Sequence, residues 1–455
     1  MEKERLTKEL ETEKIGKLLF RYALPSIISM TATSIYNVID SIFVGHGVGP
    51  LALSGLAVTL PFMNIIIAFS TLIGVGTATL MSMRLGQKDY DTTKMILGNS
   101  TTLSILAGLL MILLGIFFLD PILIFFGASA NTLPYAHDFM TVYLAGNIFA
   151  QLFFSLNALL RATGAPKMAM ISIIGTVVIN TALNPLFIFG LHMGIQGSAL
   201  ATVISQAVML IWQIRFFSNK KNIVHFQKGT FGLRRVIVRD GLSFGISSFL
   251  MHIASCIVVI IINNGLSRYG GDMAVGAYGI VTRFSFIFGM LVIGLIQGMQ
   301  PIAGYNYGAK LYPRVTQVLK VSILWATVAM CIGFFLGELC PRAVTIMFTN
   351  DEELIRQSVN GLRIVMVSAP IIGFQMITSS FFNCIGMAKK AIFLTLSRQL
   401  IFLIPMLLIL PHFFGLNGIW ISQPASDILA TVITGILLWR QFSIFKHHPD
   451  KLPTA

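Results

Sequence analysis

Ser34-Ile35-Tyr36-Asn37-Val38-Ile39-Asp40-Ser41-Ile42-Phe43-Val44-Gly45 sets a carboxylate, Asp40, inside a long apolar run. A charge at the centre of a membrane helix costs roughly 2.5–3.5 kcal/mol on insertion scales. An acid kept at that cost marks a proton or cation site, or else a carboxylate satisfied by a structural partner. Thr33, Asn37 and Asp40 fall on one helical face at i, i+4, i+7, which favours the first reading.

The rest of the chain decides what kind of protein surrounds that acid. Of its 455 residues 55% are hydrophobic and 11% charged, and the mean hydropathy is +0.81. Soluble domains carry about one quarter charged residues, so this is a membrane protein. The formal charge of +14 is spread over short clusters between apolar runs without a nucleic-acid-binding motif, and reads as topology-setting charge beside anionic lipid. Cys256, Cys331, Cys340 and Cys384 show no metal-binding spacing and are expected to be buried thiols. Residues 1–16 form a lead-in to a first span too long for the apolar core of a cleaved signal peptide.

Apolar runs long enough to cross a bilayer occur at 17–43, 51–82, 95–118, 136–160, 168–190, 195–217, 236–266, 273–303, 316–340, 358–384, 391–411 and 416–440. They are continuously apolar rather than alternating, so helices rather than a barrel are expected. Lys and Arg crowd every second loop: Arg84 and Lys88, Arg161 and Lys167, Lys220 to Arg239, Lys310 and Arg314, Lys389 and Lys390. Both termini are therefore expected to be cytosolic.

The chain also repeats. Gly86, Lys88 and Tyr90 match Gly308, Lys310 and Tyr312 at an offset of 222, as Gly164 and Lys167 match Gly386 and Lys389. Gly194 and Gly197 match Gly415 and Gly418 at 221. Six spans followed by six insert with the same topology, a parallel repeat of the kind found in secondary transporters. The domain plan is then a lead-in (1–16), an N-lobe (17–217), a polar linker (218–235), a C-lobe (236–440) and a tail (441–455).

Polar residues recur at helical spacing in the first half: Thr176, Asn180 and Asn184; Ser198, Thr202 and Gln206; and Asn157 in span 4. A chamber holding Asp40, Asn180 and Asn184 follows, against the alternative that single small polar residues only bind helices together. Desolvation favours a neutral carboxylic acid, whereas a cation or donated hydrogen bonds favour the carboxylate. An acid between such states is able to hold a proton and release it, and each charge crossing the membrane carries about 2.3 kcal/mol per 100 mV. In the second half Asp40 corresponds to Ile262, and the polar candidates are Arg283, Gln297, Gln300 and Asp427. Asp427 reads either as part of an ion pair, with Arg283 as a partner, or as a substrate contact. The 22 Met and 35 Phe suit a surface accepting many ligand shapes and organic cations. Pro25, Pro61, Pro185, Pro301, Pro370 and Pro405 are candidate bending points.

Taken together, Ile35 to Gly45, Arg161-Ala162-Thr163-Gly164-Ala165-Pro166-Lys167, Leu183-Asn184-Pro185-Leu186, Gly194 to Ala199 and Gln300-Pro301-Ile302-Ala303-Gly304-Tyr305-Asn306-Tyr307-Gly308 resemble the multidrug and toxic compound extrusion (MATE) family. The resemblance covers essentially all twelve spans. It implies an all-α membrane protein of two six-helix lobes in a V, exchanging protons or sodium for organic, often cationic, amphiphilic compounds. It matches Asp40 to the family's acid of the first helix, Asn180 to its fifth-helix asparagine, and Asn157 and Thr202 to polar partners. The coupling set is then Asp40, Asn37, Asn157, Asn180, Asn184 and Thr202; the cavity set is Tyr36, Gln206, Arg283, Gln297, Gln300 and Asp427; and a sodium site would use Asp40, Asn180 and Thr202. Asn184 stands where many relatives carry Asp, one carboxylate fewer for sodium, which leans towards protons.

The expectation is a monomeric multi-pass protein of the plasma (inner) membrane, without cofactor, acting on small organic molecules. A flippase for lipid-linked precursors is the alternative; it calls for a strongly cationic cavity, and Arg283 is the basic residue read clearly inside a span. A scaffold or receptor leaves the polar stripes unused. An enzyme lacks the motifs it needs.

Overall fold

Each apolar run becomes a helix because a backbone in lipid has to satisfy its own polar groups. The computed structural model describes residues 9–349 and 351–447, with the side chains of Asn37, Val38, Pro50, Asp272 and 445–447 outside the described set. The spans are Ile15–Gly47, Leu51–Gly86, Tyr90–Phe125, Leu133–Ala162, Pro166–Gly190, Gly194–Ser218, Arg235–Gly271, Met273–Gly308, Tyr312–Leu339, Glu352–Cys384, Ala388–Phe414 and Leu416–Ile444, numbered 1 to 12 in chain order. Spans 4 and 10 are broken, bending by 60° between Ala145 and Asn147 and by 52° between Met366 and Ala369. Most spans run several residues beyond the apolar stretch, since polar ends extend the helix into the interface.

The backbone repeats with the sequence. Left-handed residues pair across the halves: Gly49 with Gly271, Lys88 with Lys310 and Gly164 with Gly386 at offset 222, and Gly194 with Gly415 at 221. The two helix breaks share the same offset. Lys88 and Lys310, at φ 62° and 61°, end spans 2 and 8 in a conformation that L-residues seldom adopt. Two unrelated sequences would not store the same strain at the same place.

The halves meet at the end that carries the basic loops. Gly76 of span 2 lies so close to Gly241 of span 7 that a Cβ on it would overlap the Gly241 carbonyl, and Gly245 meets Leu72 in the same way. Small residues permit this approach between membrane helices. Phe69 stacks edge-on against Phe249 with centroids 5.1 Å apart. Gln300 of span 8 donates to Val75 O at 3.2 Å and Thr79 Oγ1 at 3.0 Å in span 2.

The lead-in crosses this contact. Residues 9–12 are helical, Leu10 is buried, and Glu9 pairs with Arg21 of span 1 at 2.9 Å. Glu11 accepts from Tyr305 Oη at 2.9 Å, and Arg314 Nη2 donates to Leu10 O and Glu13 O. The polar segment after span 6 is equally fixed. Asn99 of span 3 donates to Thr230 O and Gly232 O and accepts from Arg234 N at 2.7 Å, satisfying a turn of backbone from one buried amide. The thiols depart from expectation: Cys384 is buried, Cys256 and Cys331 are partly exposed and Cys340 is exposed at the end of span 9.

Candidate functional site

Asp40 sits on span 1 facing spans 5 and 6. Its Oδ1 accepts from Asn184 Nδ2 and from Ser198 Oγ at 2.8 Å. Asn184 Nδ2 also reaches Asn180 Oδ1 at 3.0 Å, as i, i+4 spacing allows on one helical face. Asn180 Nδ2 donates to Thr202 Oγ1 at 3.0 Å and to Tyr36 Oη at 3.2 Å, and those two hydroxyls are 3.1 Å apart. A continuous path of hydrogen bonds thus runs from Asp40 to Tyr36, one helical turn away, by way of span 5.

Local structure explains the aim of Asn184. Pro185 follows it and has no N–H to offer the helix ladder. The chain then makes a π-helical turn over Leu186–Gly190, a relaxation common at functional sites. Asn180 and Asn184 are each 1% exposed, yet Asn184 Oδ1 has no hydrogen-bond partner. The orphaned acceptor belongs to the amide whose nitrogen already serves Asp40 and Asn180.

Tyr36 also lines a cavity of about 210 Å³, together with Asn157, Arg161, Gln206 and Gln297 and an apolar wall that includes Phe153. Gln206 Oε1 and Gln297 Oε1 are buried without partners. Gln297 comes from span 8, so the second half closes a chamber that is otherwise built by the first.

The predicted residues therefore separate into groups. Asp40, Asn180, Asn184, Thr202 and Tyr36 are connected, with Ser198 added. Asn157 lines the cavity but does not touch Asp40: its Nδ2 goes to Ala169 O at 2.9 Å and Ser172 Oγ at 2.8 Å, and its Oδ1 accepts from Arg161. Gln300 lies in the contact between halves rather than in the cavity. Arg283 is exposed and forms no ion pair among the described residues. Asp427 is 1% exposed and pairs instead with Arg398 Nε at 2.8 Å, while Ser368 Oγ donates to it at 2.9 Å. The side chain of Asn37 lies outside the described set.

Two residues were missed in the sequence. Arg398 lies inside an apolar run, where the same insertion argument that flagged Asp40 applies. Arg161 reads as a loop charge, but span 4 continues through it and Asn157 stands four residues earlier on its face. The expected sodium set is only partly gathered, since Asn180 and Thr202 bind each other and reach Asp40 through Asn184. Among the described residues no cluster of three or more His, Cys, Asp or Glu is arranged to hold a metal ion. A lone acid among neutral donors is suited to a proton or one monovalent cation.

Comparison with known proteins bears on the family and the fold. The profile of the MatE family matches residues 25–186 and 245–409, one segment in each half. The multidrug export protein MepA of Staphylococcus haemolyticus is 28% identical over 421 residues, covering 92% of either chain. A MATE protein solved in a bent conformation superposes with a TM-score of 0.92 at 24% identity, covering 98% of this chain and 99% of that one. A multidrug resistance MATE transporter solved in an outward-facing conformation gives 0.90, also at 24% identity, over 96% and 98%. With both halves matched and the fold shared end to end, this chain belongs to the MATE family of ion-coupled multidrug efflux transporters, not to a family of enzymes.

Proposed function

We propose that the chain expels small organic amphiphiles in exchange for protons, with Asp40 as the group that is loaded and unloaded. The observation that carries this reading is the hydrogen-bond path from Asp40 through Asn184 and Asn180 to Tyr36, whose ring lines the cavity. Protonating Asp40 removes the negative acceptor that Asn184 and Ser198 now serve, so both donors reorient. Asn184 is tied to Asn180 and Asn180 to Tyr36, and the change reaches the cavity wall. Proton uptake and cargo binding then act on one network, the physical requirement for exchange, because a ligand shifts an equilibrium only through differential contacts with its states. Protons are favoured over sodium by the donor set: one carboxylate with neutral amides and hydroxyls.

The moving parts in this reading are the N-lobe (17–217) and the C-lobe (236–440), joined by the linker 218–235. Both termini, including the tail 441–455, lie on the cytosolic side of the plasma (inner) membrane, where the basic loops gather. The protein works as a monomer. Contact between the halves at the basic end leaves the cavity to open towards the other face.

Dye efflux from proteoliposomes under an imposed pH gradient tests the proposal. Wild type should extrude dye when the gradient is present, and Asp40→Asn should not. Normal extrusion by a well-folded Asp40→Asn protein would remove Asp40 from the mechanism, and extrusion by wild type under a sodium gradient alone would overturn the choice of ion.

A further inference from the structure

We infer that the cavity selects cargo bearing an acidic group, received by Arg161, so that a zwitterionic or anionic amphiphile is preferred to its cationic counterpart on the same scaffold. This inference names the substrate class of the efflux reading above and rests on it.

Among the residues lining the cavity Arg161 is the one formal charge. Its described contact is a neutral one, Nη1 to Asn157 Oδ1, and its Nε is buried without a partner. No carboxylate stands within ion-pair distance of it among the described residues. Asn157 is fixed in turn, because its own Nδ2 is occupied by Ala169 O and Ser172 Oγ, so its carbonyl faces the guanidinium and orients the fork. Arg398, by contrast, has a carboxylate of its own in Asp427. Arg161 has none, and an uncompensated cation in a membrane cavity is normally a site.

The surroundings fit a carboxylate head on an aromatic body. A guanidinium presents paired donors that match a carboxylate in a fork, with charge assistance. Gln206, 6% exposed, and Gln297 leave Oε1 unpartnered, and each is able to turn either amide edge to a polar substituent. Phe153, Phe154 and Met30 supply polarizable apolar wall. The volume of about 210 Å³ is below the roughly 300–1,000 Å³ of drug-sized pockets and suits only the carboxylated ring of a larger amphiphile, such as the benzoate ring of a rhodamine. A cationic head here meets a like charge, which opposes binding. Sequence composition alone, rich in Met and Phe, pointed the other way.

The test uses the full-length protein in nanodiscs and two dyes sharing one xanthylium body, tetramethylrhodamine with its free carboxylate and its methyl ester, with binding read by fluorescence anisotropy. Wild type is expected to bind the free acid about tenfold more tightly, the scale of a modest charge-assisted contact. Arg161→Gln should remove that preference by weakening the free acid, while Arg161→Lys should keep part of it because the charge remains without the fork. Benzoate should displace the free acid from wild type where methyl benzoate does not, a comparison that needs no variant to fold. Equal binding of the two dyes by wild type, or an equal loss of both in Arg161→Gln, overturns the inference. Binding is measured without a gradient. A failure of pH-driven efflux for both dyes therefore counts against the transport reading and leaves the charge preference to be judged by the binding data.

Discussion

Asp40 in the first half and Asp427 in the second are held in opposite ways. Asp40 is partly buried and takes its hydrogen bonds from an amide and a hydroxyl, both neutral. Asp427 is fully buried and bound to Arg398, with Ser368 as a second donor. The helices that present their partners are related: span 5 has its π-helical turn at Leu186–Gly190, just after Asn184, and span 11 has its own at Ser397–Leu403, which contains Arg398. The two turns fall at different places along the repeat, the first near the end of span 5 and the second in the middle of span 11, and the partner supplied is a neutral donor in one half and a fixed cation in the other. A tethered arginine neutralises Asp427, which is suited to hold spans 10, 11 and 12 together, while Asp40 has no cationic partner among the described residues.

The largest effect that tests this contrast is on transport. Asp40→Asn should bring gradient-driven dye efflux to the level of empty liposomes, whereas Asp427→Asn with Arg398→Gln should leave efflux dependent on the gradient; loss of that dependence in the second protein would dissolve the distinction. The next largest is on stability. Asp427→Asn alone strands the Arg398 guanidinium and should cost about 3–5 kcal/mol, as breaking one side of a buried pair does, read as a fall in the melting temperature in detergent. Replacing the pair together by Leu and Met should recover much of that loss; no recovery would mean that the pair does more than neutralise itself. Gly245→Val should lower stability by roughly 1–3 kcal/mol through overpacking, since any Cβ there overlaps Leu72 O. The loss should be read as a fall in the melting temperature in detergent. The smallest effect expected on transport is from Ser198→Ala, which removes one of the two described hydrogen bonds to Asp40. A bond to a charged group contributes about 1.5–3 kcal/mol, and the change should appear as a shifted pH profile of efflux with the maximal rate preserved within a few fold.

Asn184→Asp sharpens the same comparison from the other side. It places a second carboxylate beside Asp40, where sodium gains a charged ligand and two like charges compete for one proton. Sodium-stimulated efflux in this variant, measured against wild type at fixed pH, is the expected result.

Twelve apolar runs, the alternation of basic loops and the offset of 222 were all legible in the chain, because hydropathy and repeats are local and additive along it. The Asp40 network was partly legible for the same reason: Asn180 and Asn184 share a face by helical spacing, and Ser198 and Thr202 share another. Which faces meet was not. Asn157 has the right residue type and span, yet its side chain goes to Arg161, four residues on along the same helix, and to the start of span 5. Asp427 takes Arg398, which lies in a π-helical turn of span 11, while Arg283 is exposed, and π-helical turns carry no reliable sequence signal. Gln297 reaches the cavity, whereas Gln300, three residues later, is taken up by span 2, a choice made by the close approach of the two halves. Hydropathy and repeat spacing are enough to read a twelve-span repeat protein with one costly acid in its first helix, since transfer energies act residue by residue. Only the tertiary structure decided which polar groups share a chamber, which arginine is left without a counter-charge, and where the halves touch, since those outcomes depend on helix rotation and packing between segments hundreds of residues apart.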